Sequence, residues 1–135
     1  LSSSNNSSSN KFQARAVIKD IVVTNDDPVL VLSGCIKATQ ELLKKTQLTV
    51  NDVDLFEIHE AFASTIIFAQ RKLNIPEEKL NVNGGCIALG HPMGATGSIM
   101  LSSLIDEMER QDLATGIVAT SGAAGAGTAI LIERL

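Results

Sequence analysis

The sequence predicts an α/β fold: a five-stranded mixed sheet between helices, in the order βαβαβαββ. Three observations point to it. Short β-branched runs alternate with amphipathic stretches of helical period. Turn residues rich in Gly, Pro, Asn and Asp close each run. The 135 residues are 44% hydrophobic, enough to supply one continuous core. Strands joined through helices cross over in parallel, so the sheet is expected to be largely parallel, with an antiparallel last strand.

Residues 1–11 form a Ser/Asn-rich tail that cannot bury apolar surface and is expected to be disordered; the Asn-x-Ser triplets at Asn5 and Asn6 are what such a tract generates by chance. The folded domain is assigned to 12–135. Ala16-Val17-Ile18 and Ile21-Val22-Val23 make a strand over 12–24, ended by Asn25-Asp26-Asp27-Pro28. Leu32, Ile36, Thr39 and Leu43 then share one face of a helix over about 29–45. Leu55-Phe56-Glu57-Ile58 is a short strand that delivers His59 at its end, followed by a helix over about 60–73 with Phe62, Ile66, Ile67 and Ala69 on its apolar side.

Asn74-Ile75-Pro76 stops that helix, and Leu80 to Asn83 reads as a brief strand. A glycine-rich segment leads into a third helix with Leu101, Leu104, Ile105 and Met108 on its core face and Arg110 in its last turn. Two strands, 115–120 and 128–134, are joined by Ser121-Gly122-Ala123-Ala124-Gly125-Ala126-Gly127.

Composition excludes several classes. A net charge of −4 without a basic stripe, and an aromatic content of 3%, argue against nucleic acid as a partner. No apolar run reaches the roughly 18 residues of a membrane span. Cys35 and Cys86 lack CxxC spacing and fit small apolar roles in a reducing compartment. The two histidines and two cysteines match no zinc spacing, so no metal is expected. No Gly-Lys-Ser/Thr follows the glycine runs, and a strand rather than a helix follows Gly127, against phosphate binding by a nucleotide loop.

The residues left with chemistry are few. His91 lies between Gly90 and Pro92 at the mouth of the third helix, where backbone N–H groups favour a neutral imidazole. His59 and Ser121 each follow a strand, and side chains at strand ends of an open α/β sheet converge on one edge. Glu60 reads either as a general base or as an acid favoured by a helix N-terminus.

Three motifs, His59-Glu60-Ala61-Phe62-Ala63, Gly90-His91-Pro92-x-Gly94-Ala95-x-Gly97 and Ser121-Gly122-Ala123-Ala124-Gly125-Ala126-Gly127, resemble the carboxy-terminal half of a thiolase. The histidine of the first motif is similar to the β-subunit type of the trifunctional β-oxidation complex. The resemblance implies acyl transfer on 3-ketoacyl-CoA or acetyl-CoA, by thiolysis or Claisen condensation, with coenzyme A as a substrate and no bound cofactor. It implies that His91 activates a nucleophilic cysteine and helps hold the thioester oxygen, that His59 orients an oxyanion-hole water, that Phe62 lines the pantetheine tunnel, and that the Ala123 N–H joins a second oxyanion hole.

Two departures stand out. The nucleophilic cysteine belongs to the other half of the family's fold, and no residue here matches its motif. Ser121 stands where the family carries a proton-shuttling cysteine; a hydroxyl is a far weaker acid than a thiol. The expected partners are therefore an amino-terminal half or partner chain, acyl-CoA, and further copies of the chain in a homo-oligomer. The 135 residues by themselves are expected to be inactive. An intracellular setting, mitochondrial or cytoplasmic, fits better than a secreted one. Two rival readings are a non-catalytic acyl-CoA-binding or assembly subunit, and a condensing enzyme akin to ketoacyl synthases, whose histidine loop resembles the segment around His91.

Overall fold

The computed structural model describes residues 13–135, so the tail assigned to 1–11 lies outside the described residues. In chain order the elements are β1 (Ala16–Asn25), α1 (Gly34–Thr46), β2 (Leu55–Ile58), α2 (Ala63–Leu73), a single-turn α3 (Cys86–Leu89), α4 (Thr96–Arg110), β3 (Thr115–Ser121) and β4 (Ala126–Arg134). The four strands form one sheet in the order β1-β4-β3-β2. The α/β class and the mixed sheet agree with expectation.

The sheet is less parallel than the sequence suggests. Only β2 and β3 run parallel; β1–β4 and β3–β4 are antiparallel. The cause is the tight Gly122–Gly125 connection, which closes β3 and β4 into a hairpin and leaves the outer side of β4 for β1. The fifth strand expected at 80–83 shrinks to one bridge between Leu80 and Phe56. Asn81 has a left-handed φ of 45°, which turns the chain away from the sheet. Its side chain then takes over the pairing: Oδ1 accepts from the Ile58 N–H at 2.7 Å, and Nδ2 donates to the Ile58 carbonyl at 2.9 Å.

Helix starts shift for local reasons. Helix α1 begins at Gly34 rather than near Val29, because the Asp27 carboxylate accepts from the Val29 N–H at 2.8 Å and holds 27–30 in a turn. Helix α2 begins at Ala63, since Glu60 turns its carboxylate towards Asn81 and Ile87 instead of capping its own helix. Phe62 and Ile67, assigned to the apolar face of α2, are exposed, and Thr65, Ala69 and Leu73 are the buried residues.

The sheet lies between helices. On one face Cys35, Ala38 and Leu42 of α1 and Ala69 of α2 pack on Phe56, Ile58, Ile117, Ala119 and Leu131. On the other face Met100, Leu104 and Met108 of α4 pack on Leu55, Val118 and Ile132. Alternate residues of β2, β3 and β4 serve opposite layers, as the period of two requires, and in β1 a bulge between Ile18 and Asp20 shifts the alternation.

One buried carboxylate ties α4 to the glycine-rich segment. Glu107 accepts from Asn83 Nδ2 and Arg110 Nε, each at 2.8 Å, and also from Gln111. These bonds, that of Arg110 first, lower its carboxyl to about 2. A folded-state value below the unfolded one adds stability that is complete above the unfolded value and is lost as pH falls through the folded one. Glu107→Gln should therefore flatten the acid limb of a stability–pH curve between about pH 4.5 and pH 2, read by urea unfolding. An acid limb as steep as that of the parent would assign acid sensitivity elsewhere.

Candidate active site

The three loops singled out by sequence meet at the end of the sheet where β2 and β3 finish. They line one open cavity of about 620 Å³ with His59, Glu60, Phe62, Cys86, His91, Ser121 and Ala123 among its walls. The cavity wall includes all five residues assigned to the site, although only His59 and the Ser121 loop stand at strand ends and His91 follows α3.

His59 follows the last residue of β2, its backbone N–H donating to the Ala119 carbonyl of β3 at 2.9 Å. Its ring is buried, with 4% of the residue exposed, and neither ring nitrogen is within hydrogen-bond distance of a partner among the described residues. Burial first, and the neighbouring His91 second, push its pKa below the ordinary histidine value. The neutral ring is therefore favoured.

His91 is exposed and sits between α3 and α4, after Gly90 at φ 92°. Its Nδ1 lies 2.7 Å from Oγ1 of Thr96, the buried first residue of α4. With Nδ1 as donor to that hydroxyl, Nε2 is the nitrogen left to take a proton or accept a bond. The two imidazole centroids are 4.5 Å apart and the rings tilt by 44°.

Glu60 is a brace rather than a base. Oε1 accepts from Asn81 Nδ2 at 2.9 Å and Oε2 from the Ile87 N–H at 3.0 Å, so the carboxylate links the end of β2 to the glycine-rich loop. Gly85 makes room for it: a Cβ there would lie 2.6 Å from the Glu60 carboxyl carbon. Ser121 is similarly engaged. Its Oγ accepts from the Cys35 N–H at 2.9 Å and donates to the Leu32 carbonyl at 2.8 Å, tying β3 to the start of α1. Phe62, 64% exposed, and Ala123, in the turn between β3 and β4, present an apolar ring and a small residue at the rim.

Sequence reasoning missed Asn81, Thr96 and Glu57. Thr96 is a helix-opening hydroxyl five residues after His91, a legible signal; Asn81 required knowledge of the turn. Glu57 is buried beneath Cys86 and Thr96 at a void of about 10 Å³. Burial first, and Glu60 second, push its carboxyl up to about 8. Here the unfolded chain releases its proton at lower pH than the folded one, so stability falls as pH rises from about 4.5 to about 8 and levels beyond. Glu57→Gln should remove that slope, which is on the order of a few kcal/mol. Denaturant titrations at about pH 5 and about pH 9 check it, and an unchanged difference between the two would contradict it.

A mixed sheet covered on both faces carries at one edge two imidazoles 4.5 Å apart before an open cavity, an α/β domain with a two-histidine site suited to proton transfer. The family model described as "Thiolase, C-terminal domain" matches residues 12–134, and the chain belongs to the thiolase family through that domain. It is 44% identical over 110 residues to 3-ketoacyl-CoA thiolase 1, peroxisomal, of Arabidopsis thaliana, covering 80% of this chain and 25% of that protein. It is 40% identical over 123 residues to the 3-ketoacyl-CoA thiolase of Aliivibrio salmonicida, covering 89% of this chain and 32% of that one. The crystal structure of the Bacillus anthracis acetyl-CoA acetyltransferase superposes with a TM-score of 0.88 at 36% identity, over 98% of this chain and 34% of that one. The chain thus spans about a quarter to a third of the length of these relatives.

Proposed function

We propose that this chain supplies the histidine half of a thiolase-type acyltransferase site, acting on 3-ketoacyl-CoA or acetyl-CoA with a nucleophilic cysteine from an amino-terminal half. The observation that carries the reading is the pairing of His59 and His91, 4.5 Å between centroids, over a cavity that also holds Phe62 and Ala123.

Cleavage of a 3-ketoacyl thioester needs a nucleophile at the keto carbon, a donor for the oxygen that becomes negative, and a proton for the departing α-carbon. His91, anchored by Thr96 and free at Nε2, takes the proton of the cysteine thiol and, still carrying it, donates a hydrogen bond to the thioester oxygen; once acetyl-CoA has left, the coenzyme A thiol takes the acyl group from the cysteine, its proton replacing the one spent on the α-carbon. Neutral His59 orients a water towards that same oxygen. The Ala123 N–H serves the tetrahedral oxyanion at the nucleophile, and Phe62 receives the pantetheine chain.

The proton for the α-carbon is the weak link in this chain's own set, because the Ser121 hydroxyl is already bonded to two backbone groups. That engagement favours, as a second reading, a subunit that binds acyl-CoA without turning it over. The exposed apolar residues Val29, Leu30, Ile67, Phe68, Ile87 and Met93 support a covering half or partner chain for either reading.

The experiment is thiolysis of a 3-ketoacyl-CoA by the chain alone and by the chain combined with the amino-terminal half of a 3-ketoacyl-CoA thiolase. No turnover alone and turnover in the combination is the expected result. Binding of acetyl-CoA without turnover in the combination, with turnover restored by Ser121→Cys, would establish the second reading. Thiolysis by the 135 residues alone would overturn the two-half assignment.

A further inference from the structure

Glu57 is the buried ionisable group that the acyl-transfer steps leave idle. It stands on β2 two residues before His59, on the same side of the sheet, with 4% of the residue exposed. It shares with Thr96 a void of about 10 Å³ beneath Gly85, Cys86 and Gly90, close to the roughly 10–15 Å³ that one water needs. Burial first, and Glu60 second, hold its carboxyl up at about 8, so near neutral pH it keeps its proton and a carbonyl oxygen able to accept. Thr96 raises the matching question of donors. Its hydroxyl carries one proton and lies 2.7 Å from His91 Nδ1, its hydrogen-bond partner among the described residues. Only one of those two atoms supplies the proton between them. When the imidazole N–H supplies it, the proton of the buried hydroxyl needs an acceptor of its own, and the Glu57 carboxyl shares its void.

We propose that Glu57 is a positioning residue for His91: across the water-sized void it accepts the Thr96 hydroxyl proton, so that Thr96 accepts from His91 Nδ1–H and Nε2 stays unprotonated. This role rests on the acyl-transfer reading, in which a histidine that takes a thiol proton at Nε2 has to carry its own on Nδ1. A third group that orients the base is a common part of such sites, and here a hydroxyl stands between the acid and the ring. Ser103, the other hydroxyl at the void, lies about 10 Å further along α4, so Thr96 is the one that passes the effect to His91.

The relay has a pH signature. An ionised Glu57 accepts more strongly than a protonated one, so the Nδ1–H form of neutral His91 should gain as pH rises through about 8. Few other groups face Glu57. The loop after β2 contributes Glu60, and α3 contributes Cys86, whose thiol burial pushes above its ordinary value. At the void α4 contributes Thr96, Ile99, Met100 and Ser103, none of them charged, and β3 sets Val118 beside Glu57 in register. His59 titrates below the ordinary histidine value. An inflection near pH 8 in the His91 signals therefore belongs to Glu57.

The test is a ¹⁵N NMR titration of the two imidazoles in the full 135-residue chain, which tells the Nδ1–H from the Nε2–H form and needs no acyl-CoA. In the parent, neutral His91 should be the Nδ1–H form, with a second inflection near pH 8. Glu57→Gln keeps an accepting oxygen and cannot ionise, so it should keep the tautomer and lose the inflection. Glu57→Leu removes the acceptor; Thr96 then donates to Nδ1, and His91 should turn over to the Nε2–H form. Thr96→Val cuts the link and should lose the inflection as well. A neutral His91 in the Nε2–H form in the parent, a tautomer unchanged in Glu57→Leu, or an inflection that persists in Glu57→Gln would each overturn the assignment. These outcomes are independent of turnover: a two-half protein without thiolysis whose His91 tautomer follows Glu57 would count against the acyl-transfer reading alone.

Discussion

Alanine at Gly127 should remove the cooperative unfolding transition of this domain or lower it drastically. Gly127 of β4 crosses Gly34, the first residue of α1, so closely that a Cβ would lie 2.0 Å from the Gly34 carbonyl oxygen and 2.1 Å from its carbonyl carbon. Both neighbours are backbone, and no rotamer can relieve them. Ordinary overpacking costs about 1–3 kcal/mol where side chains can shift, and here α1 itself must move off the sheet. That is a large share of a typical domain stability of about 5–15 kcal/mol. Gly97→Ala is the comparison: a Cβ there meets nothing within 4 Å, and Gly97 lies in the first turn of α4. It should be neutral or stabilise by up to about 1 kcal/mol through helix propensity. Urea unfolding of both variants reads the contrast, and a Gly127→Ala midpoint equal to that of the parent would contradict the close packing.

His91→Ala should lower thiolysis in the reconstituted two-half protein by about 10²–10⁴-fold, the usual loss when a positioned proton-transfer group is removed. The fold should survive, because His91 is exposed and its ring forms a single hydrogen bond among the described residues, to Thr96. Far-UV dichroism and acetyl-CoA binding separate lost chemistry from lost structure. The two imidazoles act on one oxygen in the proposed mechanism, so the His59→Ala/His91→Ala pair should be little worse than His91→Ala, as happens for groups that work as a unit. Losses that simply multiply would place the two rings at separate tasks.

Much of the fold was legible because its periodicities are clean. The short apolar runs of β2 and β3, buried on both faces, and the helical face of Leu104 and Met108 required only residue type and spacing. The three histidine- and serine-bearing loops could be assigned to one edge because strand ends converge there. What escaped depended on single side chains acting at a distance in sequence. Asn81 ends a strand that the apolar pattern favours, and its amide bonds reach Ile58. Glu60, legible as a base or a dipole partner, is spent on Asn81 and Ile87. The largely parallel sheet failed because helix-linked order does not fix where β1 docks; a tight Gly122–Gly125 turn does. Cys86 read as a small apolar residue, and it packs half-buried against the α4 layer of the core.

The Asn81 amide has a consequence for how the protein survives at high concentration. A sheet normally ends in a row of unsatisfied peptide groups that can recruit a strand from another molecule. Along β2, the Phe56 carbonyl accepts from the Asn81 N–H at 2.8 Å, and both peptide groups of Ile58 are taken by the Asn81 side chain. One residue thus closes the edge beside the histidines against templated aggregation. It leaves the space beyond Ile58 to loops that can bind rather than to a fifth strand that would fill it.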